Sequence, residues 1–293
     1  MIETRLLYYF LAVAREQNIT SAANSLHISQ PTLSKQMMDL EQQLGKQLFI
    51  RGKRKITLTE DGIFLRARAQ EMIDLMNKTE AAFQNDLDYL GGDIYFGCGE
   101  THIMEYVMDV LKDIQKQYPE IKIHIYSGDA QAILERLDKG LLDMGLLLGP
   151  MEMDKYNYMH INKNDRFGLL MKKDCYLATK DFITLEDLNK IPLIFPLQTI
   201  NGQQRLSWFD SAYENFNIVA TYNLVYNATF MVEKGMGYAF CLDQLVDTSG
   251  NRNLTFRPIK PDISVNPYIV TKKYQTFSAP AKLFYQRLKL LQK

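Results

Sequence analysis

Apolar residues recur at helical spacing from the start of the chain. Leu6, Phe10, Val13 and Ala14 share one face over residues 5–17, with Leu7 and Leu11 beside it, and predict an amphipathic helix. Thr20 or Ser21 is expected to cap a second, short helix over AANSLH. Ser29 then offers an N-cap, and Pro31 stands where a first-turn proline is tolerated. Leu33, Met37, Leu40 and Leu44 form the stripe of a third helix, which Gly45 stops. Thr32, Ser34, Lys35 and Gln36 fall on its other face. KQLFIRGKRKITLTEDG alternates like a hairpin with a basic turn. Over residues 61–90 there is no proline and only Gly62 among glycines. Leu65, Ala69, Met72, Met76, Thr79, Phe83, Asp86 and Leu90 are spaced as a heptad seam, weakened at Thr79 and Asp86. This predicts a long helix that pairs with another copy and ends at Gly91-Gly92.

Beyond Gly92 the pattern changes to short apolar strands alternating with helices. IYFGCG, IKIHIY and LLDMGLLLG read as strands, with THIMEYVMDVLKDIQKQYP and DAQAILERLDKG as the helices between them. The rhythm argues for a parallel sheet covered by helices. It restarts after about residue 162. RFGLLMKK, PLIFP, IVATYNLV, YAFCL, FRPI and PYIVTKK are the expected strands, and TLEDL, QQRLSWFDSAYENF, TFMVEKG and FSAPAKLFYQRLKLLQ the helices. Two similar α/β lobes follow, with crossovers near residues 161–163 and 265–268.

Composition removes several classes. No window approaches the roughly 18 apolar residues that span a bilayer. The N-terminus lacks a small-residue cleavage site, so no secretion signal is expected. Cys98, Cys175 and Cys241 are odd in number and far apart, which suits a reducing cytoplasm rather than a disulfide framework. The net charge of zero hides an asymmetry. Residues 1–59 carry eight Lys/Arg against four Asp/Glu, and residues 60–89 carry three against seven. Half of the head's bases lie at 51–55, in RGKRK. Such a run is usually a solvated turn, but the sequence beside it changes that reading.

The text SAANSLHISQPTLSKQMMDLEQQLGKQLFIRGKRKITLTEDG, residues 21–62, resembles the winged helix-turn-helix of LysR-type transcriptional regulators. The matching positions include Ala22-Ala23, Leu26, Ser29-Gln30-Pro31, Leu33-Ser34, Leu40-Glu41, Leu44-Gly45, Leu48-Phe49, Arg51, Leu58-Thr59 and Gly62. The resemblance extends over the whole length, with its specificity in the first fifth. It implies an α+β multidomain fold: an N-terminal winged helix-turn-helix at 1–59, a long linker and dimerisation helix at 60–91, and a two-lobed α/β effector domain at 92–293 that resembles periplasmic binding proteins. Lobe I would take about 92–161 and 267–293, and lobe II about 162–266.

The implied function is sequence-specific, effector-modulated transcriptional regulation, without enzymatic activity or a cofactor. Implied partners are double-stranded promoter DNA, a small-molecule effector, a homodimer or homotetramer, and RNA polymerase. Short polar side chains on a recognition helix suit the major groove, and a basic wing suits phosphates or the minor groove. The DNA-binding candidates are Ser29, Gln30, Thr32, Ser34, Lys35, Gln36, Arg51, Lys53, Arg54 and Lys55.

Effector candidates sit where strands end and helices begin: Gly99, Thr101, His102, Ser127, Gln198, Thr199 and Asn227. Many effectors of the family are small anions, yet Glu100 and Asp129 fall beside two of these turns. Either they point away, or the ligand is not a plain carboxylate. Other chemistry is weakly signalled. His102 and Glu105 lack a second metal-binding motif, and Cys98 at a strand end lacks a resolving cysteine.

Overall fold

The computed structural model describes residues 2–52, 55–83, 90–149, 155–200 and 215–292. They belong to two units, Met1–Gln84 and Asn85–Lys293.

The first unit contains α1 (Thr4–Glu16), α2 (Ile19–Ser25), α3 (Gln30–Leu44), the antiparallel pair β1 (Phe49–Arg51) and β2 (Ile56–Leu58), and α4 (Glu60–Phe83). The expected stripes form its core. Leu6, Phe10 and Val13 of α1 meet Ala22 and Ala23 of α2, Leu33, Met37 and Leu40 of α3, and Leu48 and Phe49. The cap of α2 differs from expectation. Asn18 caps it by accepting from the Ser21 N–H at 3.0 Å, so the helix starts earlier than Thr20 or Ser21 would allow. At Gly62 a Cβ would stand 2.2 Å from the Leu48 carbonyl oxygen, so the first turn of α4 lies directly on the chain entering β1.

The seam of α4 also needs correction. Leu65, Ala69 and Ile73 are buried in the core of their own unit. The Thr4 hydroxyl donates to Met76 Sδ at 3.4 Å, and the Tyr8 hydroxyl donates to Asn77 at 2.9 Å. Of the face read as an inter-chain seam, Leu65, Ala69 and Met76 are thus engaged within their own unit, while Met72 and Thr79 stay exposed. Apolar residues left exposed on α4 are Ile63, Phe64, Met72 and Leu75. Asp86 and the Phe83 side chain lie outside the described residues. Leu90 lies beyond the helix, packed against the core of the first lobe.

The second unit begins with β3 (Gly92–Cys98), α5 (Met104–Gln117), β4 (Ile121–Ser127), α6 (Ala130–Asp138), β5 (Met144–Leu148) and β6 (Tyr156–His160). It continues through β7 (Asp165–Lys172), β8 (Ile183–Thr184), α7 (Leu185–Leu188), β9 (Leu193–Pro196), α8 (Leu197–Ile200), β10 (Ile218–Tyr222), α9 (Val225–Glu233) and β11 (Tyr238–Leu242). It closes with β12 (Leu254–Lys260), β13 (Ser264–Val265), β14 (Pro267–Lys272) and α10 (Ala279–Leu288).

Two sheets result. The first has the order β4-β3-β5-β14-β6, with β3 parallel to β4 and β5, and β14 antiparallel to β5 and β6. The second has the order β10-β9-β11-β7-β12-β8, with β13 added to β7. The chain leaves the first sheet after β6 and returns from β13 to β14, so each sheet is the floor of one lobe and two strands of chain join them.

Strand β6 was not foreseen. It earns its place by pairing with β14, and its own alternation in YNYMH is weak. The strand expected over IVATYNLV stops at Tyr222, and α9 takes Val225, earlier than TFMVEKG implied. The helix expected over QQRLSWFDSAYENF lies almost entirely outside the described residues.

Candidate functional site

The entry to α3 is built from nearby residues. Ser29 caps it: its hydroxyl accepts from the Thr32 N–H at 3.3 Å and lies 2.7 Å from the Thr32 hydroxyl. Leu33, Met37 and Leu40 anchor the helix, leaving Ser29, Gln30, Thr32 and Lys35 exposed and Ser34 and Gln36 half-buried. The result is a polar helix N-terminus facing outward, the geometry that accepts phosphates and base edges.

The chain after α3 is tied down by Glu41, which sequence reasoning noted only as a motif position. Its carboxylate accepts from the N–H groups of Leu48 at 2.7 Å and Phe49 at 3.2 Å. The Ile56 N–H donates to the Gln17 carbonyl at 2.8 Å, fixing β2 to the end of α1. Thr59 caps α4 by accepting from the Gly62 N–H at 3.0 Å while donating to the Gln47 carbonyl at 2.7 Å. Lys55 is exposed in the β1–β2 turn. Lys53 and Arg54 lie outside the described residues, as does the Arg51 side chain.

The second unit holds a cavity of about 70 Å³ between its two sheets. Gly99, Glu100, Ala130, Leu147 and Leu148 line it from the first lobe, and Phe167, Pro196, Gln198, Thr199, Tyr222 and Val225 are among those lining it from the second. It opens at strand ends, where open α/β sheets place ligands. Of the residues expected to meet an effector, Gly99, Gln198 and Thr199 are on this lining.

Thr101, His102, Ser127 and Asn227 are not, and each has a physical reason. The Thr101 hydroxyl donates to Asp165 and accepts from the Ile103 N–H at 3.1 Å, and His102 Nδ1 also contacts the Asp165 carboxylate. Both therefore serve the crossover, where Asp165 starts β7 beside β13. Ser127 is exposed at the end of β4, with its hydroxyl 4.0 Å from Cys98 Sγ. Asn227 sits inside the first turn of α9 and is exposed, because that helix begins two residues before it.

Asp165 was missed altogether. It is buried at 1% exposure, and that burial pushes its carboxyl above the ordinary value, against the pull of Thr101 and His102. The polar text KNDRF around it gives no hint of burial. Of the two acids that complicated the anion reading, Asp129 points away. Its carboxylate accepts from the Ala132 N–H at 2.8 Å and caps its own helix α6. Glu100 does the opposite: it reaches across the cavity and accepts a hydrogen bond from the Val225 N–H at the start of α9. Burial raises its carboxyl, while the Val225 N–H lowers it.

Cys98 and Cys241 are buried thiols. Burial pushes Cys98 up and Cys241 up to about 12, so neither is a ready thiolate. No helix among the described residues is long and apolar enough to cross a membrane.

Comparison with known proteins matches both units. The model of the LysR substrate binding domain matches residues 88–291, and that of the bacterial regulatory helix-turn-helix protein, lysR family, matches residues 4–63. The chain is 28% identical over 262 residues to the HTH-type transcriptional activator IlvY of Haemophilus influenzae, covering 87% of this chain and 90% of that one. It is 28% identical over 203 residues to the HTH-type transcriptional regulator BsdA of Bacillus subtilis, covering 69% of each. Among solved structures, full-length CbnR complexed with its target DNA superposes with a TM-score of 0.77 at 20% identity, covering 99% of this chain and 100% of that one.

Proposed function

The chain belongs to the LysR family of transcriptional regulators, with a DNA-binding helix-turn-helix and an effector-binding domain, and on that premise we propose how it divides the work. The N-terminal turn of α3 reads bases through Gln30, Thr32, Ser34, Lys35 and Gln36, with Ser29 both capping the helix and placing its first N–H groups at a phosphate. Arg51, Lys53, Arg54 and Lys55 form the wing that holds backbone or minor groove. The observation that carries this reading is the outward-facing, locally capped entry to α3.

Dimerisation uses α4. Its exposed Phe64, Met72 and Leu75 offer the apolar surface, since Leu65 and Ala69 are already buried by α1. Two copies then read a dyad-symmetric promoter site, and pairs of dimers form a tetramer. The effector binds between the lobes of the second unit and shifts the equilibrium between closed and open lobes. The output acts on RNA polymerase in the cytoplasm.

The test is direct. The protein is mixed with sheared DNA from its own source, and the retained fragments are sequenced beside those from the double variant Lys35→Ala with Arg51→Ala. Enrichment of a few dyad-symmetric promoter sites, lost in the variant and falling steeply with salt, is the expected result. Uniform weak retention by both proteins contradicts the reading. For the cleft, Gly99→Phe is the probe. A Cβ at Gly99 meets nothing within 4 Å, so a side chain can start there, and the ring is expected to fill the cavity that Gly99 lines. A metabolite extract that changes operator affinity for the native chain, but not for Gly99→Phe, places the effector there.

A further inference from the structure

The cleft is closed by the protein's own oxygen atoms. Two helices present their N-termini to it, one from each lobe. The N-terminus of α9 has no side-chain cap of its own, and Glu100 from the opposite lobe accepts from its first N–H, that of Val225. The N-terminus of α6 receives Gln198 from the opposite lobe: its side-chain oxygen accepts from the Ala130 N–H at 3.5 Å. A helix N-terminus is where a small carboxylate or phosphate would bind. Here both such places are filled from across the cavity.

The groups that remain have a different character. Among the described lining residues there is one carboxylate, Glu100, and no Lys, Arg or His. Glu100 uses one oxygen on Val225 and has the other to offer. Thr199 is 1% exposed, and its hydroxyl has no hydrogen-bond partner among the described residues. A buried polar group in that state costs free energy until something satisfies it. Leu147, Leu148, Phe167, Pro196 and Leu242 supply an apolar wall.

We infer that the effector of this regulator is a small aliphatic amine carried as its ammonium ion, held by the free oxygen of Glu100 and by the Thr199 hydroxyl. This deepens the proposal that the effector binds between the lobes, and it rests on that reading. A second anion in the cavity would face the Glu100 charge with no cation among the described lining residues to offset it. An ammonium ion instead supplies a positive charge that the half-buried Glu100 carboxylate finds on none of the described lining residues. Its N–H donors satisfy the Glu100 and Thr199 oxygens together, and its short carbon chain lies on the leucine wall.

Binding is measured on the full-length chain by calorimetry and by melting temperature. The probes are propyl-, butyl- and pentylammonium chloride, with the sodium carboxylates of the same chain lengths. The native chain is expected to bind at least one ammonium and to raise its melting temperature saturably, while the carboxylates leave it unmoved. Glu100→Gln, which keeps an acceptor for Val225 but removes the charge, weakens ammonium binding about tenfold or more. Thr199→Val, which keeps the shape, weakens it several-fold and stands in should Glu100→Gln fail to fold. Gly99→Phe abolishes it.

Carboxylate binding that Gly99→Phe blocks overturns the ligand class and leaves the cleft reading intact. Absence of ammonium binding to the native chain also overturns the class. The cleft reading then stands or falls on whether the metabolite extract acts in a Gly99-dependent way. Ammonium binding unchanged in both Glu100→Gln and Thr199→Val overturns the assigned contacts.

Discussion

The entry to α3 and the entry to α9 solve the same physical problem with different residues. Both helices begin with N–H groups that need acceptors. In α3 the acceptor is Ser29, three residues from its donor Thr32, and the turn faces outward. In α9 it is Glu100, 125 residues from Val225, and the turn faces a cavity. The contrast holds for the ties next to the two sites, although the first unit also has long ties such as Tyr8 to Asn77 and the second has local caps such as Asp129 to Ala132. Asn18 to Ser21, Glu41 to Leu48 and Thr59 to Gly62 are ties between near neighbours. Thr101 to Asp165 and Gln198 to Ala130 span 64 and 68 residues. A surface stiffened by local ties keeps its shape whatever the rest of the chain does, which suits reading a fixed DNA groove. A cleft held by distant ties changes shape when those ties are exchanged, which suits a sensor.

The strongest challenge to a locally built head is Gly62→Ala. Its Cβ would collide with the Leu48 carbonyl, and a loss of about 3 kcal/mol is expected in chemical denaturation of the first unit. An unchanged midpoint would mean that α4 moves freely against β1. Glu41→Ala comes next. It strands the Leu48 and Phe49 N–H groups and should cost about 2 kcal/mol by the same measurement. Ser29→Ala should cost about 1 kcal/mol, the value of a local cap, and should weaken binding to all DNA sequences by a similar factor.

The burial of carboxyls in the second unit predicts a pH signature, which the distant hydrogen bonds to them only reduce. Glu100 and Asp165 are both raised by burial. The unfolded chain releases these protons near the ordinary values of 4.5 and 3.8, and the folded chain releases them later. Their contribution to stability is therefore fully present below those values and is lost as pH rises through the raised ones. Urea midpoints of the second unit, followed from acid to neutral pH, should show that decline, and Glu100→Gln with Asp165→Asn should flatten it. The smallest effect concerns the thiols. With Cys98 and Cys241 raised by burial, iodoacetamide at neutral pH should leave both unmodified in the folded chain, by mass spectrometry of its peptides. Rapid alkylation of Cys98 would show that β3 opens to solvent.

The same division explains what could be read in advance. The stripes Leu6-Phe10-Val13 and Leu33-Met37-Leu40 predicted their helices and the core they share, because amphipathic spacing is local and burial follows from it. The alternation after Gly92 gave two α/β lobes and both crossovers for the same reason. That Leu65, Ala69 and Met76 of the α4 seam are engaged within their own unit could not be read locally, because α1 lies about seventy residues earlier, with Tyr8 and Asn77 separated by 69. Strand β6 escaped notice because its place depends on β14. Asp165 escaped because no residue near it in the sequence signals that it will be buried. Gly99, Gln198 and Thr199 were found as turn residues, whereas Thr101, His102, Ser127 and Asn227 share that local signature and are not among the described residues lining the cavity between the lobes.

The sequence by itself thus determined the helix-turn-helix, the polar outward face of α3 and the two-lobed plan, since helical periodicity, caps and strand alternation are written within a few residues of one another. Only the tertiary structure decided which face of α4 is already covered, which turn residues meet the cavity, and that Glu100 turns its carboxylate onto the opposite lobe. Those outcomes depend on what lies across a gap, and free energies of burial and pairing are set by neighbours in space rather than along the chain.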